Sequence, residues 1–200
     1  MYIYWRNMTV NIPSPLWKTC RILACETRLE LLWKLFDQGE LYVHQLMQET
    51  GLSRPNTSNQ LRLLTEHGFV VSRREKMNVI YRAEANTAMR FAPTLLATLK
   101  TGFNRSMSLK TVIRQATGFS HGRRIEIAQA LNGKSRSFEE LQEATSMSSS
   151  ALSRHLIKLE VRNFVQHNGT LYRRGKPGNP LGKELIMLAS KPYTPTGAST

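Results

Sequence analysis

The chain has 200 residues, of which 40% are hydrophobic and 21% charged, a composition that excludes collagenous and disordered proteins. Its 28 Lys and Arg residues outnumber 14 Asp and Glu residues, so the formal net charge is +14 at pH 7. Residues 1–100 hold 13 basic and 8 acidic groups (+5), and residues 101–200 hold 15 and 6 (+9). This excess favours a polyanionic partner, because Lys and Arg contact phosphates and release counterions.

The sequence also indicates the cellular compartment of the protein. The longest apolar stretches are short and interrupted, which argues against a transmembrane helix, and the first residues lack the pattern of a signal peptide. The two cysteines, Cys20 and Cys25, have the spacing of neither a C-x-x-C motif nor a disulfide framework. We therefore expect a cytoplasmic protein without a membrane partner.

The predicted elements begin with a helix that Ser14 caps, that has Pro15 as its first residue and that runs to about residue 24. Two helices with apolar residues at helical spacing follow, over about 29–36 and 43–47. Gly51 lies in a short turn, and the next helix carries Pro55 in its first turn. These signals predict a compact group of helices.

Strand spacing follows after Gly68. Residues 69–72 and 79–81 are rich in β-branched and aromatic side chains and flank a polar turn over residues 73–78, which predicts a hairpin. A helix is then expected over residues 86–103, with a kink at Pro93 unless that proline falls in the first turns.

The second half repeats this order. Ser137 and Glu140 predict a capping box, Ser146 takes the turn position of Gly51, and residues 164–166 and 171–172 flank a 167–169 turn that contains Asn-Gly. Flanking helices are expected over residues 108–119 and 181–188. We call the repeats copy one and copy two; their matched apolar positions include Leu46, Leu61, Leu64 and Phe69 against Leu141, Leu156, Leu159 and Phe164.

Three helices followed by a hairpin predict a winged helix-turn-helix fold, used twice. The fold class is therefore mainly α with small β-hairpin wings. We expect a first domain over residues 14–104 with a C-terminal connecting helix, a second domain over residues 105–190, and a flexible tail over residues 191–200.

Three segments match known motifs: residues 23–28 (LACETR), 40–46 (ELYVHQL) and 148–156 (SSSALSRHL). They resemble the bacterial ArsR-type family of winged-helix repressors. The first looks like the family's "L-A-D-x-T-R" entry to a helix, with Cys25 in place of Asp; the second is similar to its "E-L-C-V-C-D-L" segment, and the third resembles its recognition-helix motif. The resemblance covers about residues 16–100 and 108–188. It implies double-stranded DNA as the partner and a recognition helix that enters the major groove. This is the third helix of each copy, counted without the leading helix: the one with Pro55 in its first turn in copy one, and the one over residues 148–156 in copy two.

Family members usually carry one copy and form homodimers, whereas this chain carries two. It can therefore form an intramolecular pseudo-dimer, with the helices over 86–103 and 108–119 packed at the internal interface, or a homodimer with a second chain. Because the copies differ in sequence, the pseudo-dimer would prefer asymmetric DNA. The sequence identifies no effector.

The candidate DNA-binding residues lie on the polar face of each third helix and in each wing. Arg pairs with guanine, Asn and Gln pair with adenine, and cationic wings suit phosphates. The alternative is a solvated helix face and a charged hairpin edge that resists aggregation. The candidates are Arg54, Asn56, Thr57, Asn59, Gln60, Arg62, Arg73, Arg74 and Lys76 in copy one, and Ser149, Ser150, Arg154, His155, Lys158, Arg173, Arg174 and Lys176 in copy two.

Other chemistries have little support. Tyr42 and His44 replace the thiolate pair of metal-responsive relatives, so we expect no metal or cofactor even if Cys20, Cys25 and His44 converge. No Gly-rich phosphate loop, nucleophile elbow or metalloprotease signature predicts an enzyme. The rival predictions are a winged-helix protein-interaction or scaffold module without specific DNA binding and, less favoured, an RNA-binding protein.

Overall fold

The computed structural model describes residues 15–191, and the elements of copy one follow the expected order. The bounds are α1 (Leu16–Leu23), α2 (Glu26–Gln38), β1 (Leu41–Tyr42), α3 (Val43–Thr50), α4 (Arg54–Glu66), β2 (Val71–Glu75), β3 (Asn78–Arg82) and α5 (Ala92–Asn104). β1, β3 and β2 form an antiparallel sheet in that order. Ser14 lies outside the described residues, and Pro15 holds the N-cap position of α1, so Pro15 is not the first helical residue as expected.

Copy two repeats the architecture with α6 (Leu109–Gly118), α7 (Gly122–Ala130), α8 (Phe138–Thr145), α9 (Ser149–Glu160), β4 (Val165–His167), β5 (Tyr172–Arg174) and α10 (Pro180–Ser190). β4 pairs with β5, and Arg136 bridges Tyr172 where β1 pairs with β3 in copy one. The mainly helical fold with two hairpin wings is confirmed. Within the described part of the chain, no helix is long and apolar enough to cross a bilayer.

The local turn chemistry agrees with the sequence. The Ser137 hydroxyl accepts a hydrogen bond from the Glu140 backbone N–H, and the Glu140 carboxylate accepts one from the Ser137 N–H at 2.7 Å, which confirms the capping box. Gly51 and Ser146 have φ of 68° and 50°, so both occupy the left-handed region. That region costs an L-residue free energy, so copy two carries strain at Ser146 that Gly51 avoids.

Both hairpins differ from expectation in their turns. Arg73, Arg74 and Glu75 belong to β2 and pair with β3, so the expected turn over residues 73–78 shrinks to residues 76–77. In copy two, His167 pairs with Tyr172, and the connection is the four residues 168–171 rather than a 167–169 turn. Asn168 closes it by accepting the Leu171 N–H at its side-chain oxygen at 2.9 Å. In copy one these polar residues belong to β2, which is an edge strand of its sheet, and edge strands accommodate charged side chains.

The helix expected over residues 86–103 begins later, at Ala92. Asn86 caps a turn through its side-chain oxygen, which accepts the Ala88 N–H at 3.0 Å, and Pro93 falls in the first turn of α5. The kink at Pro93 is therefore absent, because a proline in the first turn interrupts no helical hydrogen bond.

The two copies pack through equivalent helices. α1 contacts α6, and α5 contacts α10, with α2 also against α6. The two helices expected at the internal interface, α5 and α6, both lie there, and each contacts its counterpart in the other copy. Buried apolar side chains from both copies form one continuous cluster, which includes Cys20 and Leu23 of α1 and Val112 and Ala116 of α6.

A matched arginine fixes the junction between the first two helices of each copy. The Arg28 Nε donates to the carbonyl of Ile22 at 2.7 Å, and one of its Nη atoms donates to the carbonyl of Arg21 at 3.1 Å. In copy two, Arg124 makes the same contacts to the carbonyls of Gly118 and Thr117, at 2.5 and 2.9 Å. These bonds satisfy carbonyls that the end of a helix leaves unpaired. The repeated arginine is thus a structural element of the fold.

Candidate nucleic-acid interface

The exposed face of α4 carries part of the polar set expected for copy one. Arg54, Asn56 and Asn59 are exposed, and Ser53 precedes the helix in an extended conformation. Arg62 is also exposed, but it donates to Asn59 at 3.0 Å and pairs with Glu66 one turn later. Such side chains have the donors and acceptors that base edges require, although Arg62 must first leave its partners.

Gln60 lies apart from this face. Its carbonyl oxygen accepts from Arg28 at 2.9 Å, and its amide donates to Asn56 at 3.0 Å. It thereby connects the third helix to the arginine that caps α1. The half-buried Gln60 side chain thus uses both of its polar atoms in contacts within the protein.

The prediction that Thr57 lies on the solvent-facing side of the helix is wrong. Its side chain is fully buried and donates to the Ser53 carbonyl at 3.0 Å, so no duplex can reach it. The repeat contains the signal that was missed, because Thr57 matches Leu152, which is also fully buried. A threonine can replace a leucine there because its hydroxyl bonds back to the helix backbone.

The exposed face of α9 is formed by Ser149, Ser150, Arg154 and Lys158. Arg154 donates only to the backbone carbonyl of Ser150, at 3.2 Å, and Lys158 has no acidic partner among the described residues. Compared with Arg62 in copy one, the cations of α9 are free of carboxylates. Copy two therefore presents more uncompensated charge on its third helix.

His155 does not share that face. Its ring lies 4.9 Å from the His121 ring, its Nδ1 is buried without a hydrogen-bond partner, and burial lowers its pKa to about 4. It is therefore a neutral, partly buried group that joins α9 to the N-cap of α7. The position matches Gln60, which has a similar linking role in copy one.

The C-terminal half of α9 departs from a polar face. Ile157 and Val161 are 57% and 55% exposed and occupy the positions of Arg62 and Glu66. The alignment of the repeats shows this exchange of an ion pair for two apolar side chains. The candidates predicted from the sequence on this helix were all polar side chains, so these two exposed apolar residues were not identified.

The first wing carries cations that are largely compensated. Arg73 pairs with Glu40 at 2.7 Å, and Arg82 on the next strand pairs with Glu40 at 3.3 Å and with Glu84. The hydrogen bond from Arg73 lowers the pKa of Glu40, which keeps this carboxylate charged. Of the three cations expected in this wing, Arg74 and Lys76 lack an acidic partner within the described residues, whereas Arg73 has one.

The tip of the first wing holds a residue that the sequence reasoning did not select. Met77 is 89% exposed between β2 and β3. An apolar side chain at such a tip is suited to the minor groove, where proteins insert apolar wedges. A methionine between two strands gives no polarity signal, so only its position in the structure identifies it.

The second wing is not equivalent in its charges. Arg173 and Arg174 lie on the second strand of their hairpin, whereas Arg73 and Arg74 lie on the first strand of theirs. None of Arg173, Arg174 and Lys176 has an acidic partner in the described part of the chain. Arg174 pairs with Val165 at the end of the ladder opposite the hairpin tip, and Lys176 follows the strand, so both lie near the base of the wing.

The residues considered for a metal site do not assemble one. Cys20 is fully buried, and burial raises the pKa of its thiol to about 12, while His44 is exposed and stacks on Tyr42 at 5.4 Å. Within residues 15–191 no three His, Cys, Asp or Glu side chains are grouped as metal ligands. The prediction that the chain is not an enzyme stays a prediction.

Two segments of the chain match the model of a known protein family. The model described as "Bacterial regulatory protein, arsR family" matches residues 25–72 and again residues 121–167. The first match extends from the residue before α2 into β2, and the second from the residue before α7 to the end of β4. Both matches therefore include a complete third helix.

Two relatives are similar over part of the chain. The HTH-type transcriptional regulator KmtR of Mycobacterium tuberculosis (strain ATCC 25618 / H37Rv) is 36% identical over 64 residues, 32% of this chain and 48% of the relative. The Arsenical resistance operon repressor of Escherichia coli (strain K12) is 39% identical over 75 residues, 38% of this chain and 62% of the relative. The matches thus span about half to three fifths of each relative's length.

Proposed function

Because the chain carries two arsR-family helix-turn-helix domains in tandem, we propose that it is a sequence-specific regulator of transcription that binds double-stranded DNA and acts as a repressor. Both relatives bear names of transcriptional regulators, and one is named a repressor. The observation that carries the proposal is the pair of matched third helices, each following a tight turn and each exposing polar side chains. This is the placement that a helix-turn-helix protein uses in the major groove.

The proposed base and phosphate contacts are the candidates whose side chains face solvent. α4 and α9 would read base edges, and the wings would hold the backbone on either side. Thr57, Gln60 and His155 are excluded from this set by their burial or their links to other helices, and Arg174 and Lys176 because they lie near the base of the second wing. The proposed contacts are Arg54, Asn56, Asn59, Arg62, Arg73, Arg74, Lys76, Ser149, Ser150, Arg154, Lys158 and Arg173.

We propose that one chain acts as a pseudo-dimer, with residues 14–104 and 105–190 as its domains. The packing of α1 on α6 and α5 on α10 supports this, because such pairing of equivalent helices relates the copies by an approximate two-fold arrangement. The two third helices would then meet two half-sites about one DNA turn apart. Since α4 and α9 differ at most exposed positions, those half-sites would differ in sequence.

A salt titration tests duplex binding. Labelled duplex of random sequence is titrated with the full chain at several chloride concentrations, and log affinity is expected to fall linearly with log salt at a slope of about −5 to −10. Asn59→Ala and Arg154→Ala, at matched positions of the two copies, should each weaken binding to a selected site. Lys134→Ala, which removes an exposed cation from the α7–α8 connection, is the matched control and should change affinity little.

The exposed Ile157 and Val161 favour a second candidate, a protein-interaction module in which α9 meets a partner protein. That reading predicts no retention of duplex by micromolar protein at low salt. It also predicts that Arg154→Ala leaves duplex binding unaltered. Either result contradicts the DNA-binding proposal.

A further inference from the structure

A basic groove lies between the base of the second wing and α10. It has a volume of about 610 Å³ and is lined by the loop at residues 175–178 and by Arg174, Lys183 and Ile186. Three cations, Arg174, Lys176 and Lys183, therefore border one cavity. No lining residue is acidic, and none of the three cationic groups has a hydrogen bond or ion pair within the described residues.

The loop that forms one wall of the groove has a tightly fixed backbone. The Gly175 N–H donates to the Phe164 carbonyl at 2.8 Å, and a Cβ at Gly175 would lie 2.2 Å from the Asn163 carbonyl oxygen. Pro177 is buried, and a Cβ on Gly182 of α10 would lie 2.6 Å from the Pro177 Cβ. Because neither glycine leaves room for a side chain, the wing base and α10 approach closely. The cationic side chains therefore start from a preorganised frame, which lowers the ordering cost of binding.

This charge arrangement belongs to copy two alone. Val70 matches Val165, and Val165 pairs with Arg174, so the residue of copy one at the place of Arg174 is Ala83. The next two positions are Glu84 and Ala85 where copy two has Gly175 and Lys176. Copy one thus has Glu84 and no cation at these three positions. Because copy one forms the same fold without them, the two cations of copy two at these positions are not needed for folding.

The position of the groove separates it from the proposed duplex contacts. The wing tip, residues 168–171, is at the opposite end of the hairpin from the Val165–Arg174 pair. α10 belongs to the interface with the other copy, since it packs on α5. A group bound in the groove therefore contacts the base of the wing and an interface helix together.

We propose that this groove binds a phosphorylated small molecule, with the phosphate held by Arg174, Lys176 and Lys183. Three cations match the two negative charges of a phosphate monoester, and Arg presents paired donors to its oxygens. The apolar wall formed by Ile186 and Pro177 offers contact to the organic part of the ligand. The proposal does not depend on DNA binding by the third helices.

Isothermal titration of the full chain, without DNA and at constant ionic strength in chloride, tests the site. Adenosine monophosphate and inorganic phosphate are the probes, and adenosine is the phosphate-free control. Lys183→Ala and Arg174→Ala should each weaken binding of adenosine monophosphate at least about tenfold, as expected when a charge-assisted bond to phosphate is lost. Lys134→Ala, an equal change of net charge outside the groove, should alter binding less than about twofold.

Three results would overturn the proposal. One is that the wild-type chain binds no adenosine monophosphate, and another is that Lys134→Ala weakens binding as much as Lys183→Ala. The third is that Lys183→Ala leaves phosphate binding intact but lowers the salt slope of duplex binding by about 0.9, which would assign the groove to the DNA backbone. Circular dichroism melts of both groove variants show whether they fold, and Lys183→Arg should restore binding.

Discussion

Glu40 is the residue whose replacement should strengthen duplex binding. Its carboxylate pairs with Arg73 at 2.7 Å and with Arg82 at 3.3 Å, and both guanidiniums lie on the first wing. Glu40→Gln removes the nearer carboxylate of Arg73, which then keeps only Glu75 at 3.8 Å, while Arg82 keeps its second partner, Glu84. The Arg73 guanidinium can therefore turn toward a phosphate. Exposed ion pairs contribute little to stability, so the variant should fold as well as the wild type.

The size of the effect follows from counterion release. One additional phosphate contact steepens the slope of log affinity against log salt by about 0.9, which corresponds to about fivefold tighter binding at 0.15 M salt relative to 1 M. Fluorescence anisotropy with a labelled duplex at four or more chloride concentrations measures both quantities. The gain should shrink as salt rises and vanish near 1 M.

Glu49→Gln is the matched control. Glu49 pairs with Lys34 at 2.8 Å between α2 and α3, so its replacement changes net charge equally and releases a cation that belongs to neither the third helix nor the wing. The salt slope of this variant should remain that of the wild type. Equal slopes for Glu40→Gln and Glu49→Gln would refute the placement of the first wing beside DNA.

Two further predictions concern stability. Ser146→Gly should stabilise the chain by about 0.5–1 kcal/mol in urea unfolding, because glycine enters the left-handed region without steric cost; Ser135→Gly, at a position with negative φ, should not, and equal effects would contradict the argument. His155 has a pKa lowered to about 4, so between that pH and about 6.5 the unfolded chain binds more protons and stability falls as pH falls. The His155→Gln variant places in copy two the residue type that copy one has at Gln60. It should reduce the loss of stability between pH 7.5 and pH 5 by about 1–2 kcal/mol, a figure that allows for solvent screening. A loss equal to that of the wild type would show that His155 is not its source.

The architecture was predictable because its signals are local or repeated. Helical spacing around Leu61 and Leu156, the Ser137 capping box and the change to strand spacing after Gly68 each fix one element. The second copy confirms each interpretation of the first. A pattern found twice in one chain is evidence that neither copy supplies alone.

The chemistry of the site was less predictable because it depends on contacts between distant residues. Arg73 meets Glu40 only because β1 and β2 flank β3, which brings residues 33 apart in sequence together. His155 loses its solvent because α9 packs on α7 and its ring meets His121. Periodicity assigns a residue to a helix face, but it does not show which polar side chains another element will neutralise or bury.

The misplacement of Thr57 on the solvent-facing side could have been corrected from the sequence alone. The polar character of threonine suggested a solvent-facing position, yet its match in copy two is Leu152, a core residue. Comparison of the two copies position by position corrects this assignment. The same comparison identifies Ile157 and Val161 as the apolar replacements of Arg62 and Glu66.

Selection of bound sequences from a random duplex pool, followed by measurement of the mass of the complex, shows whether one chain binds two unlike half-sites. We expect enrichment of two different half-sites about one helical turn apart, bound by one chain per duplex. Asn59→Ala should relax the preference in one half-site and Arg154→Ala in the other. No enrichment, or a palindromic site bound by two chains, would contradict binding as a pseudo-dimer.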